Sequence, residues 1–302
     1  MAAEPTRTEA LRNELLSRHT SWRVGGPADS FYTPASVAEL QSILGELAAT
    51  TPIYWLGLGS NLLVRDGGIR GTVIATAGLP RELVRVDETH VRASAGLACM
   101  LLAKRCVRWQ LGPAAFFAGI PGTVGGALAM NAGAFGGETW THVESVTTID
   151  RRGKVRERPR AEFEIGYRTV RGAANEWFLS ANFRFEHDES SSMDAIKEML
   201  ARRNAAQPLG VPSCGSVFRN PEGDFAGRLI EQAGMKGRRI GGAMVAEKHA
   251  NFIVNLGSAT AADIETLIAE VRAAVERESG VHLELEVRVV GEPLAPVAEG
   301  LS

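Results

Sequence analysis

Residues 119–137 read GIPGTVGGALAMNAGAFGG, with seven glycines and no charge. Glycine reaches positive φ and permits tight turns, which is one reason for such a run. The other is that bare backbone lets N–H groups approach a phosphate closely. A second glycine-bearing stretch, GLGSNL at 57–62, follows an apolar run and carries Ser60 and Asn61. It opens like a dinucleotide fingerprint, but its sixth position is Leu62 rather than glycine or alanine. The glycines at 119, 122, 125 and 126 fit neither that fingerprint nor a Walker loop, and no G-x-x-x-x-G-K-[ST] occurs. Two loops carrying Ser60, Asn61, Thr123 and Asn131 as neutral hydrogen-bonding residues suit one shared dinucleotide pyrophosphate better than turns alone.

The bulk of the chain sets limits around that reading. Its 302 residues suffice for two or three domains with real cores. A net charge of −2 gives no reason to expect general nucleic-acid binding. No run approaches the roughly eighteen apolar residues of a membrane span, and residues 1–20 lack a signal-peptide core. Three cysteines make neither a disulfide framework nor a zinc site. Cys99 and Cys106, two turns apart on an apolar helix, read as core. No histidine has metal-ligand spacing. The expectation is a cytoplasmic protein with no membrane or nucleic-acid partner, monomeric or a small oligomer.

Around the glycine stretch the periodicities alternate between helix and strand. Residues 1–24 read as a helix with an exit segment. SVAELQSILGELAA is an amphipathic helix with Ser36 as N-cap. PIYWLGLGSNLLV and GTVIATA are buried strands, and HVRASAG leads into the helix LACMLLAKRCVRWQL. VESVTTIDRRGKVRERP is a hairpin turning at RRGK, and EWFLSANFRFE is a strand. Composition shifts at DESSS, which places a boundary at 189/190. Beyond it come the helices MDAIKEMLARRNAAQ and FAGRLIEQAG, the strands CGSVFRN, ANFIVNLG and HLELEVRVV, and a long helix ending at Gly280. The class is α+β, with a unit over 1–189, subdivided near 77/78, and a C-terminal α+β domain over 190–302.

Six stretches occur in order: GLGSNLLVRDGGIRGTVI, GIPGTVGGALAMNAGAFGGE, IGYRTV, CGSVFRNP, AGMKGRRIGGAMVAEKHANFIVN and LELEVRVVG. Together they resemble the UDP-N-acetylenolpyruvoylglucosamine reductase (MurB) family of flavoenzymes, from about His19 to Gly291. The one-helix spacing between NFRFE and CGSVF resembles the shorter, type II branch. The resemblance implies an FAD-binding unit of the vanillyl-alcohol-oxidase type, followed by a substrate domain. It places the flavin nucleotide against Gly57, Gly59, Ser60, Asn61 and Leu62, and against Gly119, Ile120, Pro121, Gly122, Thr123, Gly125 and Gly126, with Asn131 and Gly133 beyond. NADPH would give a hydride to FAD, and the reduced flavin would give it to the enolpyruvyl ether of a UDP-sugar in peptidoglycan precursor synthesis.

Hydride added to a vinyl carbon leaves negative charge on the next carbon and its carboxylate. Such chemistry needs a cationic clamp and a proton donor. By resemblance Arg168 is the clamp; its fixed fork of donors suits a carboxylate. Ser216 is the matching proton donor, a weak acid opposite a basic carbanion. Glu286 is the matching active-site glutamate, expected to be protonated. Asn220 and Tyr167 match substrate contacts. If CGSVFRN is a regular strand, Asn220 shares the Ser216 side and Arg219 faces away. On a final strand, His282, Glu284, Glu286 and Arg288 would share one face.

His249 reads as a diphosphate contact, a loop organiser or a satisfied core residue, with a structural role favoured over a functional one, and Lys248 is similar. Phe135 and Ala246 stand where the family commonly has tyrosine and serine, so any hydrogen bonds from those hydroxyls are missing. Another flavin oxidase on this scaffold, or a non-catalytic flavoprotein, would share the glycine loops without needing Ser216.

Overall fold

Ser36 opens helix α1 (Val37–Glu46): its Oγ accepts the Glu39 amide at 3.1 Å, and Leu40, Ile43 and Leu44 form one buried stripe. A cap of this kind contributes about 1 kcal/mol. The computed structural model describes residues 9–208 and 210–295. The chain gathers into two units, one built on Tyr32–Gly57 and Ile74–Ala205. The other joins Leu11–Phe31, Leu58–Val73 and the chain from Ala206 onward.

The first unit is organised by a five-stranded antiparallel sheet. Its order is Val155–Pro159, Val143–Asp150, Glu176–Arg184, His90–Ser94 and Leu83–Arg85. Alternate residues of Glu176–Arg184 serve two apolar clusters. Trp177 and Leu179 join Leu40, Leu44, Ile74 and Leu79. Ala181 and Phe183 join residues of α2 (Cys99–Arg108) and α3 (Val124–Met130), among them Leu102, Cys106 and Leu128. Each buried large side chain contributes roughly 1.5–3 kcal/mol. The expected hairpin is present: Asp150 Oδ1 accepts the Arg152 and Lys154 amides at 2.8 and 2.9 Å, and Gly153 takes φ +77°.

Helix α4 (Met193–Ala206) sends Ile196 into the first unit's core, with Met193, Met199 and Leu200 against it. The compact units therefore divide at Ala205/Ala206 rather than at the linear 189/190 boundary. Two earlier stretches also join the C-terminal part.

In the second unit, α5 (Ala226–Gln232) and α6 (Ala261–Ser279) pack with the antiparallel strands Ala243–Val245 and Ile253–Asn255 around one core. Trp22, fully buried there, donates from Nε1 to Ile253 O at 2.7 Å. Leu62–Val64 runs parallel to Arg288–Val290. Helix α6 starts with a Thr260–Asp263 capping box. Asp66 adds a carboxylate that accepts the Ala261 and Ala262 amides at 2.9 Å each. These are the donors and the positive dipole end that a helix start leaves uncompensated. Gly280 ends the helix at φ +70°. No helix among the described residues is long and apolar enough to cross a membrane.

Three local expectations are corrected. The proposed N-terminal helix is absent from residues 9–24; its first eight residues lie outside the described ones. Leu11–Leu15 is a strand paired with residues 27–31. Helical leucine spacing lost there to cross-strand pairing, which leaves Leu11 and Leu15 exposed and buries Leu16. CGSVFRN is not a regular strand; its pairing is confined to single bridges such as Phe218 with Leu285. HLELEVRVV becomes strand only at Arg288–Val290.

Candidate active site

In the first unit Gly57 approaches the 119–126 turn. A Cβ on Gly57 would lie 3.0 Å from Thr123 Oγ1, tighter than ordinary contact. Thr123 is buried and caps α3, its Oγ1 accepting the Gly126 amide at 3.3 Å. The turn is laced to residues 95–99: Val124 N and Gly125 N donate to Leu97 O and Ala95 O at 2.8 Å each, and Cys99 N donates to Gly122 O at 3.0 Å. Both answers to the glycine run have a place. Gly125 is needed for packing, since its Cβ would lie 2.9 Å from Ala95 Cβ. Gly119 would meet the Phe135 ring at 2.5 Å, and Gly133 would meet Gly137 O at 2.3 Å. Residues 119–126 carry no side-chain charge, and Gly57 leaves open the space beside the helix cap. The Val124, Gly125 and Gly126 amides are spent within the fold, so this neutral turn fits a dinucleotide phosphate through its lack of bulk and negative charge and through the Thr123 hydroxyl.

Asn131 follows α3 in the left-handed region at φ +44°. Its buried side chain is committed to protein groups: Oδ1 accepts Trp140 N at 3.0 Å, and Nδ2 reaches Glu138 Oε2 at 3.0 Å and Gly166 O at 3.2 Å. Asn131 thus shapes the loop from within. Arg168 sits in the turn between Glu164–Gly166 and Thr169–Arg171, also left-handed at φ +53°. Its guanidinium donates to Asn131 O at 3.4 Å and Gly133 O at 3.3 Å, and lies 5.2 Å from the Tyr167 ring centroid. Tyr167 is exposed. Phe135, likewise exposed, has φ +52° in a tight hairpin with Gly136 at +85°. Large residues held at positive φ carry strain that tends to gather at functional sites.

In the second unit, Gly59 takes φ +61°, and a Cβ there would lie 2.1 Å from His19 O. Only glycine admits that approach. Ser60, Asn61 and Leu62 follow, all half-buried. Asn61 Nδ2 donates to Glu286 O at 3.0 Å, and Arg288 N donates to Asn61 O at 3.1 Å. Cys214 lies beneath this loop, its thiol toward Leu62 O at 3.4 Å, and burial pushes its pKa up to about 12.

An irregularity joins the backbone of Glu286 to Val217, the residue after Ser216. Glu286 N and Val287 N both donate to Val217 O, at 2.8 and 3.4 Å. Two residues opposite one is the pattern of a β-bulge, which re-aims a side chain. Glu284 is mostly exposed, 3.7 Å from Arg219, whereas Glu286 is half-buried. The bulge and the missing strand remove the simple alternation expected for Arg219, Asn220 and the two glutamates. Asn220 Oδ1 accepts Ala226 N at 3.1 Å, which leaves its Nδ2 as the donor for a ligand.

Sequence reading missed Asn251. It is buried and grips Phe218 at both ends: its Oδ1 accepts Phe218 N at 2.9 Å and its Nδ2 donates to Phe218 O at 2.8 Å. Its own carbonyl accepts Val217 N at 2.9 Å. His249 supports it, Nδ1 accepting Asn251 N at 3.2 Å. Burial lowers the His249 pKa, so a neutral loop organiser is the reading that fits among the three. Lys248 is exposed. Ala246 is buried beside Phe252, so a serine there would need a partner.

Two family descriptions match the chain: an FAD binding domain over 28–158 and the UDP-N-acetylenolpyruvoylglucosamine reductase C-terminal domain over 207–290. The reductase of Alkalilimnicola ehrlichii is 56% identical over 92% of this chain and 94% of its own. That of Methylococcus capsulatus is 55% identical over 97% of each. The crystal structure of the Thermus caldophilus enzyme superposes with a TM-score of 0.78 at 34% identity, covering 93% of this chain and 99% of that one. These likenesses agree over nearly the whole chain: it belongs to the UDP-N-acetylenolpyruvoylglucosamine reductase family.

Proposed function

We propose that the chain reduces the enolpyruvyl ether of UDP-N-acetylglucosamine to UDP-N-acetylmuramate, using FAD and drawing hydride from NADPH. The bulge that pairs Glu286 with Val217, next to Ser216, supports this reading, because the chemistry needs a hydroxyl donor and a carboxyl stabiliser near one carbanion. Bound FAD supplies hydride acceptance and donation. The 57–62 and 119–126 stretches line its phosphates with small, uncharged residues, while Ser60 and Thr123 add hydroxyl contacts. Arg168 pairs with the substrate carboxylate through its donor fork, with Tyr167 alongside. Glu286, protonated, donates a hydrogen bond to the charge that develops there. The Ser216 O–H bond breaks as its proton moves to the carbon beside the carboxylate, and the serine oxygen is then reprotonated from solvent. Asn220 Nδ2 holds the substrate.

On this reading residues 1–189 serve FAD and 190–302 the substrate, a division of labour along the chain that the compact units do not follow, since α4 packs in the first. The protein acts in the cytoplasm as a monomer or small oligomer. The test is anaerobic stopped flow: NADPH should bleach the flavin, and the enolpyruvyl substrate should restore its absorbance rapidly. Flavin that stays reduced until oxygen enters would mark an oxidase instead.

A further inference from the structure

We infer that Asn251 is a positioning residue for the Ser216 proton donor, an inference that rests on the reading just given. The four backbone polar groups of Val217 and Phe218 are all paired, three of them by Asn251. Val217 N meets Asn251 O, Phe218 N meets Asn251 Oδ1, and Phe218 O meets Asn251 Nδ2. The fourth, Val217 O, takes the two amides of the Glu286 bulge. A neighbouring strand would ordinarily satisfy such groups and extend its pairing to Ser216. A side-chain amide supplies the same donor and acceptor and then stops. Asn251 therefore replaces a strand edge at the position where Ser216 must leave the ladder. It is 3% exposed, so its hydrogen bonds do not compete with bulk water. Ser216 is two residues from the gripped Phe218 and one from Val217, so its Cα follows the position of that clamp.

The experiment compares Asn251→Asp, Ser216→Ala and the double variant as FAD-loaded proteins, measuring both half-reactions by anaerobic stopped flow. Aspartate keeps the acceptor for Phe218 N but sets an oxygen against Phe218 O. Reduction by NADPH should match wild type, while reoxidation by the enolpyruvyl substrate should slow at least about tenfold. The double variant should be no slower than Ser216→Ala, because a misplaced hydroxyl that is already absent has nothing further to lose. Should Asn251→Asp fail to retain flavin, Asn251→Ala is read by the same criteria. Wild-type reoxidation rates in either variant, equal slowing of both half-reactions, or additive losses in the double variant would overturn the inference. Wild-type protein whose flavin the substrate does not reoxidise would instead remove the functional reading beneath it.

Discussion

The side-chain amide of Asn61 donates to the backbone carbonyl of Glu286 at 3.0 Å, and Arg288 N returns a hydrogen bond to Asn61 O at 3.1 Å. The loop proposed to hold FAD is thereby fastened to the backbone of the proposed acid. Asn61→Ala should lower unfolding stability by about 1–2 kcal/mol, the cost of a lost, partly buried hydrogen bond. It should also slow flavin reoxidation. Denaturant melts of the FAD-free protein would check the first effect, and unchanged stability would show that the bond contributes little.

Ser216→Ala should leave flavin content and reduction by NADPH intact while slowing reoxidation by roughly 10²–10⁴, the usual weight of a positioned proton donor. Glu286→Gln retains a hydrogen-bond donor and should lose less than Glu286→Ala. Single-turnover reoxidation ranks the three. A Glu286→Gln variant no slower than a substitution at exposed Glu284 would take Glu286 out of the mechanism.

Arg168 combines a left-handed backbone with a cationic side chain. Arg168→Gly should remain within about 1 kcal/mol of wild-type stability, since relief of positive-φ strain offsets two long hydrogen bonds. Reoxidation should collapse, and Arg168→Lys should recover only part of it because an ammonium lacks the fork. Melting curves set beside single-turnover rates separate the two effects. A glycine variant that turns over normally would exclude the clamp.

Burial lowers the pKa of His142, whose ring lies 5.3 Å from Phe185 and 5.9 Å from Phe116, and also that of His249. Each is held neutral in the fold but protonates in the unfolded chain below pH 6.5. Their stabilising contribution is complete above that pH and falls as pH drops towards their folded values. The limit is about 1.4 kcal/mol per pH unit for each. Half-buried His90 acts in the opposite sense: hydrogen bonding to Asp87 raises its pKa, so its contribution is present at low pH and lost as pH rises. The expected balance is a net loss of stability between pH 6.5 and 5, made shallower in His142→Phe. Melts at fixed ionic strength across that window would show it; an unchanged slope in His142→Phe would exclude His142.

All three cysteines are buried, with the Cys106 and Cys214 thiols pushed up to about 12. A thiol reagent should label none in the folded protein at pH 8 and all three in denaturant. Fast labelling of Cys214 in the native state would mean that the loop above it opens.

Features set by neighbours in sequence were legible from the chain alone. The Ser36 cap, the Asp150–Lys154 turn, the Gly280 stop and the α2 cysteines each depend on contacts within a turn or on one periodic face. Leu11–Leu15 was misread because its partner strand, not its own leucine spacing, decides its form. Glu286 could be singled out by likeness, but nothing in HLELEVRVV announces a bulge, which exists only against Val217 O. Asn251 was invisible for the same reason: its amide serves a residue 33 positions away, and an asparagine before an apolar run looks like a strand entry.

The second unit is assembled from distant parts of the chain. Leu62–Val64 finds its parallel partner at Arg288–Val290, and Asp66 meets its amides at Ala261 and Ala262. During synthesis at about 5–20 residues per second, the 62–64 strand therefore waits some tens of seconds as an unsatisfied edge. The sheet and helices over 83–206 can meanwhile close around their own core. A ribosome that stalls after residue 206 would release half a scaffold bearing a sticky, unpaired strand, a substrate for chaperones and proteases. Synthesis through Val290 thus gates the unit that carries Ser216 and Glu286.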